Sequence, residues 1–207
     1  MDKIYDDENI LIVFKPQGIE TASETNKKTL EAEVGYIACH RLDVNTEGLV
    51  IFAKNKAVAA EMRAAFENDQ IEKTYLALCF GSLRTSPLTL TGYLVKDARN
   101  GMVQISKTKT PGAKPVKTVV KFLKTVGDFS LIEIHPLTGR THQIRAHLAT
   151  IGMSIVGDGK YGQTKMNKLY GEDKQCLCST ELRFSFATGL PLYYLNSKEF
   201  VVKPSFL

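Results

Sequence analysis

His40-Arg41-Leu42-Asp43-Val44-Asn45-Thr46-Glu47-Gly48 runs directly into Leu49-Val50-Ile51-Phe52-Ala53, and the rest of the chain is read outward from this stretch. Leu49 to Ala53 is a short, unbroken apolar run, the pattern of a buried strand. The segment before it sets one carboxylate, Asp43, on a polar turn between apolar flanks. An isolated aspartate before a glycine turn carries little meaning. Here a second segment, His135-Pro-Leu-Thr-Gly-Arg-Thr-His-Gln-Ile-Arg145, supplies the positive charges that such a carboxylate needs. Two segments in this order point to a catalytic pair.

The flanking sequence extends the strand reading. Ile10 to Phe14 is apolar and ends at Lys15-Pro16-Gln17-Gly18, a strand entering a turn. Glu20 to Lys28 is polar and predicts a loop. From Asn55 to Gln70 the residues Val58, Met62 and Phe66 recur every four, which predicts an amphipathic helix capped by Asn55. Lys73 to Phe80, Val116 to Leu123 and Phe129 to His135 predict further strands. In the second of these, Val116, Thr118, Val120 and Phe122 share one face, while Lys117 and Lys121 point the other way. Gly101 and Pro111-Gly112 mark turns around it. Thr141 to Ile151 predicts a helix with Ile144, Leu148 and Ile151 inward, ended by Gly152. Strands outnumber helices without regular alternation. That pattern predicts an α+β domain with a mixed, mostly antiparallel sheet flanked by helices, spanning residues 1–207.

Length and composition limit the function classes. A chain of 207 residues buries roughly 70% of its unfolded surface and needs no staples to hold a core. No apolar run reaches the ~20 residues of a membrane helix, and the acidic start, Met1 to Glu8, lacks a signal peptide's apolar core. A cytoplasmic setting is the expectation. Cys39, Cys79, Cys176 and Cys178 contain no CxxC pair and read as reduced packing thiols. The net charge of +5 is modest, but its distribution is uneven. Between Ala98 and Gly127 stand Arg99, Lys107, Lys109, Lys114, Lys117, Lys121 and Lys124, with no acidic residue. Such a block attracts a polyanion through counterion release; a solvated lysine-rich hairpin is the plainer alternative.

Three placements bear on chemistry. On the predicted helix His142 and Arg145 are three apart and share a face. Arg145 keeps its charge and can hold a buried aspartate ionised, with Asp43 as the natural partner; a purely structural strand-to-helix ion pair fits the same residues. Tyr75 opens a strand, where a phenol can stack on a planar base or simply pack. No metal site is expected. His142 and His147 are five apart, on different helix faces, and no acidic residue lies between Glu133 and Asp158. Gly157, Gly159 and Gly162 do not match a phosphate loop.

Taken together these segments closely resemble the RluA family of RNA pseudouridine synthases. The resemblance runs through Ile10 to Gly18, His40-Arg41-Leu42-Asp43-x-x-Thr46-x-Gly48, Lys73-x-Tyr75-x-Ala77, Leu137 to His147, and Ile155-Val-Gly-Asp-x-x-Tyr161-Gly162. Each piece alone is weak; five in order are specific. The resemblance implies a catalytic domain with a long mixed sheet and a central RNA-binding cleft. It also implies a reaction: the glycosidic bond of a chosen uridine breaks, the uracil turns over, and carbon 5 joins the ribose, without metal or cofactor. Asp43 is then the nucleophile or electrostatic stabiliser. Tyr75 stacks on the base and handles the carbon-5 proton, and Arg145 pairs with Asp43. Arg41 holds the target nucleotide out of the RNA, and Lys73, Arg140, His142, Lys117 and Lys121 are RNA contacts. The RNA is ribosomal or transfer RNA, and a monomer is the simplest assembly. Residue 10 already begins the catalytic domain, which leaves no room for the small N-terminal RNA-binding module of some relatives.

The chain also departs from the family pattern. Glu47 stands where serine is usual, Met153-Ser154 replaces His-Pro, Cys178-Ser179 replaces His-Ala, and the Gly18–His40 stretch is short. Glu47 puts a second negative charge near Asp43, able to raise its pKa or repel RNA if it points inward. That charge keeps a second reading open: an RNA-binding or RNA-folding protein on the same scaffold, with little catalysis.

Overall fold

The computed structural model describes residues 2–97 and 101–207, so Arg99 of the basic block lies outside the described residues. In chain order the elements begin β1 (Asp2–Asp6), β2 (Ile10–Lys15), α1 (Leu30–Val34), β3 (Ile37–Ala38), β4 (Glu47–Ala53) and α2 (Lys56–Glu67). Next come β5 (Ile71–Cys79), β6 (Leu88–Asp97), β7 (Met102–Ser106), β8 (Lys114–Val126) and β9 (Phe129–Pro136). The chain closes with α3 (Gln143–Thr150), α4 (Thr164–Tyr170), β10 (Leu177–Phe184), a 3-10 turn and β11 (Phe200–Val201). Contacts divide it into a unit of Met1–Lys73 with Cys178–Leu207, and a unit of Thr74–Leu177. Among the described residues no helix is long and apolar enough to cross a membrane.

In the first unit β2 pairs antiparallel with both β1 and β4, and β4 runs parallel to β10. Every residue of β4 is buried, as its continuous apolar run predicts for an interior strand. α2 covers the sheet with Val58, Met62 and Ala65, against Ile10, Ile12, Leu49 and Ile51. Burying each such aliphatic side chain contributes about 1.5–3 kcal/mol. The cap is as the sequence predicts: the Asn55 side chain accepts from the Val58 N–H at 3.0 Å. The helix stops at Glu67, three residues short of Gln70, and Asp69 then takes φ +55°.

The second unit is antiparallel throughout its named pairs, β5 to β9, β9 to β8, β8 to β6 and β6 to β7. β8 alternates as expected: Val116, Thr118 and Val120 are buried, and Lys117 and Lys121 are exposed. A register shift between Phe122 and Lys124 ends that alternation. Leu94, Val103, Val116 and Ala146 form a core that joins β6, β7, β8 and α3. Mostly antiparallel pairs together with the parallel pairing of β4 and β10, and helices beside the strands, make the fold α+β and mixed. All four cysteines are buried and none is in a disulfide, and burial pushes the Cys39 thiol up to about 12. The substituted positions Met153, Ser154, Cys178 and Ser179 are each at most 4% exposed, so these departures change the core and not the surface.

Candidate active site

In the first unit Asp43 sits on a turn closed by a hydrogen bond from the Thr46 N–H to the Asp43 carbonyl, 3.0 Å. Beneath it lies Lys15, fully buried, whose ammonium donates to the carbonyls of Pro16 (2.8 Å), Ile19 (2.9 Å) and Val44 (3.0 Å). Three donors meet three acceptors, so the ammonium is satisfied although buried. Burial pulls its pKa down to about 8, against the charges of Asp43 and Glu47, which hold it up. The Gly18 N–H also donates to the Val44 carbonyl, at 2.9 Å. Lys15 therefore anchors the turn that carries Asp43. The sequence shows it only as part of a strand end; an apolar strand that finishes on Lys-Pro is the available signal.

The chain enters this turn through a second lock. Cys39 donates its N–H to the Ile51 carbonyl at 3.0 Å, and the Ile51 N–H donates to His40 Nε2 at 3.1 Å. A ring nitrogen that accepts must be unprotonated. Burial, with the charge of Lys73, pulls the His40 pKa down to about 3. The His40 ring lies 4.7 Å from that of Phe66, tilted by 47°, and the Lys73 ammonium lies 5.3 Å from the same Phe66 ring. Lys73 is thus half-buried, its pKa lowered by burial against the pull of Asp69, while Arg41 is exposed. The linkage sign follows. With a folded pKa below the unfolded value of about 6.5, His40 is neutral in the native state where the unfolded chain takes up a proton. Its stabilisation is present above that value and is lost as pH falls toward 3. Chemical denaturation at successive pH values is expected to show stability falling below pH ~6.5, with a smaller slope in His40→Gln.

Glu47 does not face RNA. It is 3% exposed, and its two carboxylate oxygens accept from the Ser205 N–H and the Ser205 hydroxyl, each at 2.7 Å. The charge that the sequence leaves able to act on Asp43 or on RNA is taken up by Ser205. The next residue, Gly48, has φ +118°, and a Cβ there would lie 2.2 Å from the Ser179 carbonyl oxygen. Only glycine lets β4 and β10 approach this closely.

In the second unit Arg145 is 6% exposed and donates through Nε (2.7 Å) and Nη2 (2.9 Å) to the two oxygens of Asp158. Asp158 also accepts the N–H groups of Lys160 (2.8 Å) and Tyr161 (3.0 Å). The guanidinium lies 5.1 Å over the Tyr161 ring, and the Tyr161 hydroxyl accepts from the Val103 N–H at 2.7 Å. His142 corrects one expectation. It precedes α3 in the left-handed region, φ +55°, and is not on the helix with Arg145. The reason is Gln143. Its amide oxygen accepts from Thr138 Oγ1 and the Arg140 N–H, and its amide nitrogen donates to the Lys117 carbonyl and Thr118 Oγ1, which sets the helix start after His142. His142 and Arg145 still converge, because His142 Nδ1 lies 3.0 Å from the Tyr161 hydroxyl. Tyr75 is 8% exposed on β5, opposite Ile134 of β9. Arg140 is exposed, and so are Lys117 and Lys121, the latter 3.5 Å from Glu133. His147 is buried, with Nδ1 2.9 Å from Thr118 Oγ1, so it packs and does not face outward. Asp158 and Tyr161 stand in the sequence only as motif letters, since Arg145, His142 and Val103, which they meet, lie more than ten residues away.

The family model for RNA pseudouridylate synthase matches residues 9–150. Ribosomal large subunit pseudouridine synthase C of Vibrio parahaemolyticus is 29% identical over 193 residues, covering 87% of this chain and 60% of that protein. An RNA pseudouridine synthase of Mycoplasma genitalium is 33% identical over 202 residues, covering 87% of this chain and 62% of its own length. The chain thus spans less than two thirds of these relatives. Among solved structures, human RNA pseudouridylate synthase domain containing 1 superposes with a TM-score of 0.81 at 28% identity, covering 100% of this chain and 84% of that one. The human domain-containing 4 protein, at 21% identity and a TM-score of 0.76, shares the fold.

Proposed function

The chain belongs to the RluA family of RNA pseudouridylate synthases, and from that premise we propose that it isomerises uridines in structured RNA, with Asp43 as the catalytic carboxylate. The observation that carries the reading is the Asp43 turn, locked by Lys15 below and by the His40–Ile51 bond behind. Such anchoring is what a pre-positioned charge needs. Breaking the bond from nitrogen 1 to the ribose builds positive charge on the sugar, which a fixed carboxylate stabilises. Tyr75 is assigned to stack on the freed uracil and to handle the proton lost from carbon 5. Arg145 supplies the permanent cation. One carbon–nitrogen bond breaks, one carbon–carbon bond forms, and the carbon-5 proton moves to nitrogen 1, so no external reactant enters. Reaching carbon 5 requires the uridine to leave its stack, and Arg41 is assigned to hold it out.

Ribosomal or transfer RNA is the proposed substrate, met in the cytoplasm by a single chain that works as one catalytic domain. Lys117 and Lys121, with Lys73, Arg140 and His142, are assigned to the RNA. The joint variant Lys117→Ala/Lys121→Ala is expected to reduce the slope of log affinity against log salt by about 0.7–0.9 for each phosphate left without its lysine, with single-turnover rate at saturation unchanged. Filter binding at several salt concentrations checks it. The function itself is tested by mapping pseudouridine in total RNA with and without the gene. At least one site is expected to vanish on deletion and return with the wild-type gene; an unchanged map overturns the reading. Retention of Asp43, Tyr75 and Arg145 favours catalysis over the alternative of an RNA-binding or RNA-folding protein on the same scaffold, since binding alone needs none of them.

A further inference from the structure

Glu47 is the residue at which this chain parts from its family beside the catalytic turn, and the structure gives it a partner. A serine at position 47 would end two carbon atoms short of the Glu47 carboxylate oxygens that meet Ser205. Glu47 spans that distance, and both of its oxygens accept from the one residue, at 2.7 Å each. Charge-assisted bonds of this length are among the stronger ones in proteins.

Ser205 is itself tied down. The Val202 N–H donates to the Thr180 carbonyl of β10 at 2.9 Å, and Pro204 is buried. β10 runs parallel to β4 with Cys178 opposite Glu47 and Ser179 opposite Gly48. The Asp43 turn is therefore gripped at two places. Lys15 and Gly18 hold its Val44 carbonyl, and Glu47, at its exit, is held by Ser205.

We propose that Glu47 and Ser205 are positioning residues for the isomerisation: residues 202–205 form a strap that fixes the exit of the catalytic turn and so the place of Asp43. The proposal rests on Asp43 being the catalytic carboxylate. A strap of this kind acts on the reaction step more than on RNA capture, because neither residue is offered to RNA as a cation. Among the described residues, Lys15 on β2 and Cys178 on β10 feel the Glu47 charge, and Asp43 in the turn acts on Lys15 alongside it. Glu47 and Asp43 both favour the charged form of Lys15, against its burial, and the Cys178 thiol is pushed up by its own burial and by Glu47.

The test uses the full chain and an RNA carrying a site identified by mapping. Single-turnover rate, RNA affinity and melting temperature are measured for Glu47→Gln, Glu47→Ser, Ser205→Ala and Ser205→Thr. Glu47→Gln and Ser205→Ala are expected to slow the reaction step by about 10-fold or more at saturating RNA, with affinity little changed. The joint variant is expected to be no slower than Glu47→Gln alone, since both act through one pair of bonds. Ser205→Thr keeps both donors and is expected to retain the wild-type rate. Loss of the Lys15 proton weakens the grip on the turn, so the rate is expected to decline as pH rises through about 8. Glu47→Gln is expected to bring that decline to lower pH, because Lys15 then loses one of the two carboxylates opposing loss of its proton. A change in melting temperature alone would not move that limb. Rates and pH profile unchanged in folded Glu47→Gln and Ser205→Ala overturn the strap. If Glu47→Gln does not fold, the contrast between Ser205→Ala and Ser205→Thr decides alone. Should Asp43→Ala stay active in the same assay, the catalytic assignment fails, and that failure is distinct from failure of the strap.

Discussion

Asp43→Ala is expected to abolish pseudouridine formation, by about 1,000-fold or more, while RNA binding stays near the wild-type level. The first half follows from charge. The sugar gains positive charge as the glycosidic bond breaks, and a methyl group offers it nothing in place of a carboxylate. A loss of that size corresponds to about 4 kcal/mol of transition-state stabilisation, in line with removal of one pre-positioned electrostatic group. The second half follows from the sign of the substrate. RNA is a polyanion, so deleting a carboxylate removes repulsion and leaves the lysine contacts in place. The backbone bond from the Thr46 N–H to the Asp43 carbonyl and the Lys15 bond to the Val44 carbonyl do not pass through the deleted carboxylate, so the turn should survive. Single-turnover assays beside filter binding on the same preparation check both halves. A variant that keeps its rate sinks the assignment of Asp43, and one that loses rate and affinity together points to a role in holding RNA.

Asp158→Ala is expected to produce the largest loss of stability, about 3–5 kcal/mol, read from denaturant midpoints and from a fall in melting temperature. The Asp158 side chain is fully buried and the Arg145 side chain is 7% exposed, so little water reaches the pair to replace what is deleted. The substitution removes two bonds to the guanidinium and two to the Lys160 and Tyr161 N–H groups at once. Breaking one side of a buried pair costs more than the pair itself contributes, because the charge left behind stays desolvated. Asp158→Asn keeps the shape and part of the bonding and should lose less. Burial alone would raise the Asp158 carboxyl. The Arg145 guanidinium and the two N–H groups outweigh it and hold the group below the usual carboxylate range. Its contribution is therefore present above the ordinary carboxylate pKa and is lost as pH falls through the folded value. A wild-type stability curve flat through acid pH, or an Asp158→Ala protein as stable as wild type, contradicts this account.

The elements that the sequence predicts are those whose signal is local. Ile10 to Phe14 and Leu49 to Ala53 are apolar runs too short for helices, and both are buried strands. Val58, Met62 and Phe66 define one face of α2, and Asn55 caps it. The alternation through Val116, Thr118 and Val120 settles which way Lys117 and Lys121 point. By contrast β6, β7 and β10 leave no clear mark in the sequence, and neither do α1 and α4. β6 is ten residues of which only Leu90 and Leu94 are buried, and its existence depends on the partners β7 and β8. Partly exposed strands such as β6 carry a weak periodic signal, because most of their positions have no core to face. By contrast β10 is mostly buried, and its polar Ser179, Thr180, Glu181 and Arg183 break up the apolar run that would mark it.

For the candidate site the division is similar. Residue identity and order along the chain sufficed to identify the family, and they put Asp43, Tyr75 and Arg145 forward as the expected site residues. They did not reveal that Arg145 is clasped by Asp158 and Tyr161, that His142 leaves the helix, or that Lys15 lies buried under the Asp43 turn. Nor did they show that Glu47, which by sequence threatens the site with a stray charge, is satisfied by a residue 158 positions away. A side chain's type fixes which protons and charges it can offer. Which partner receives them is set by the pairing of distant segments, and sequence spacing carries no record of that distance.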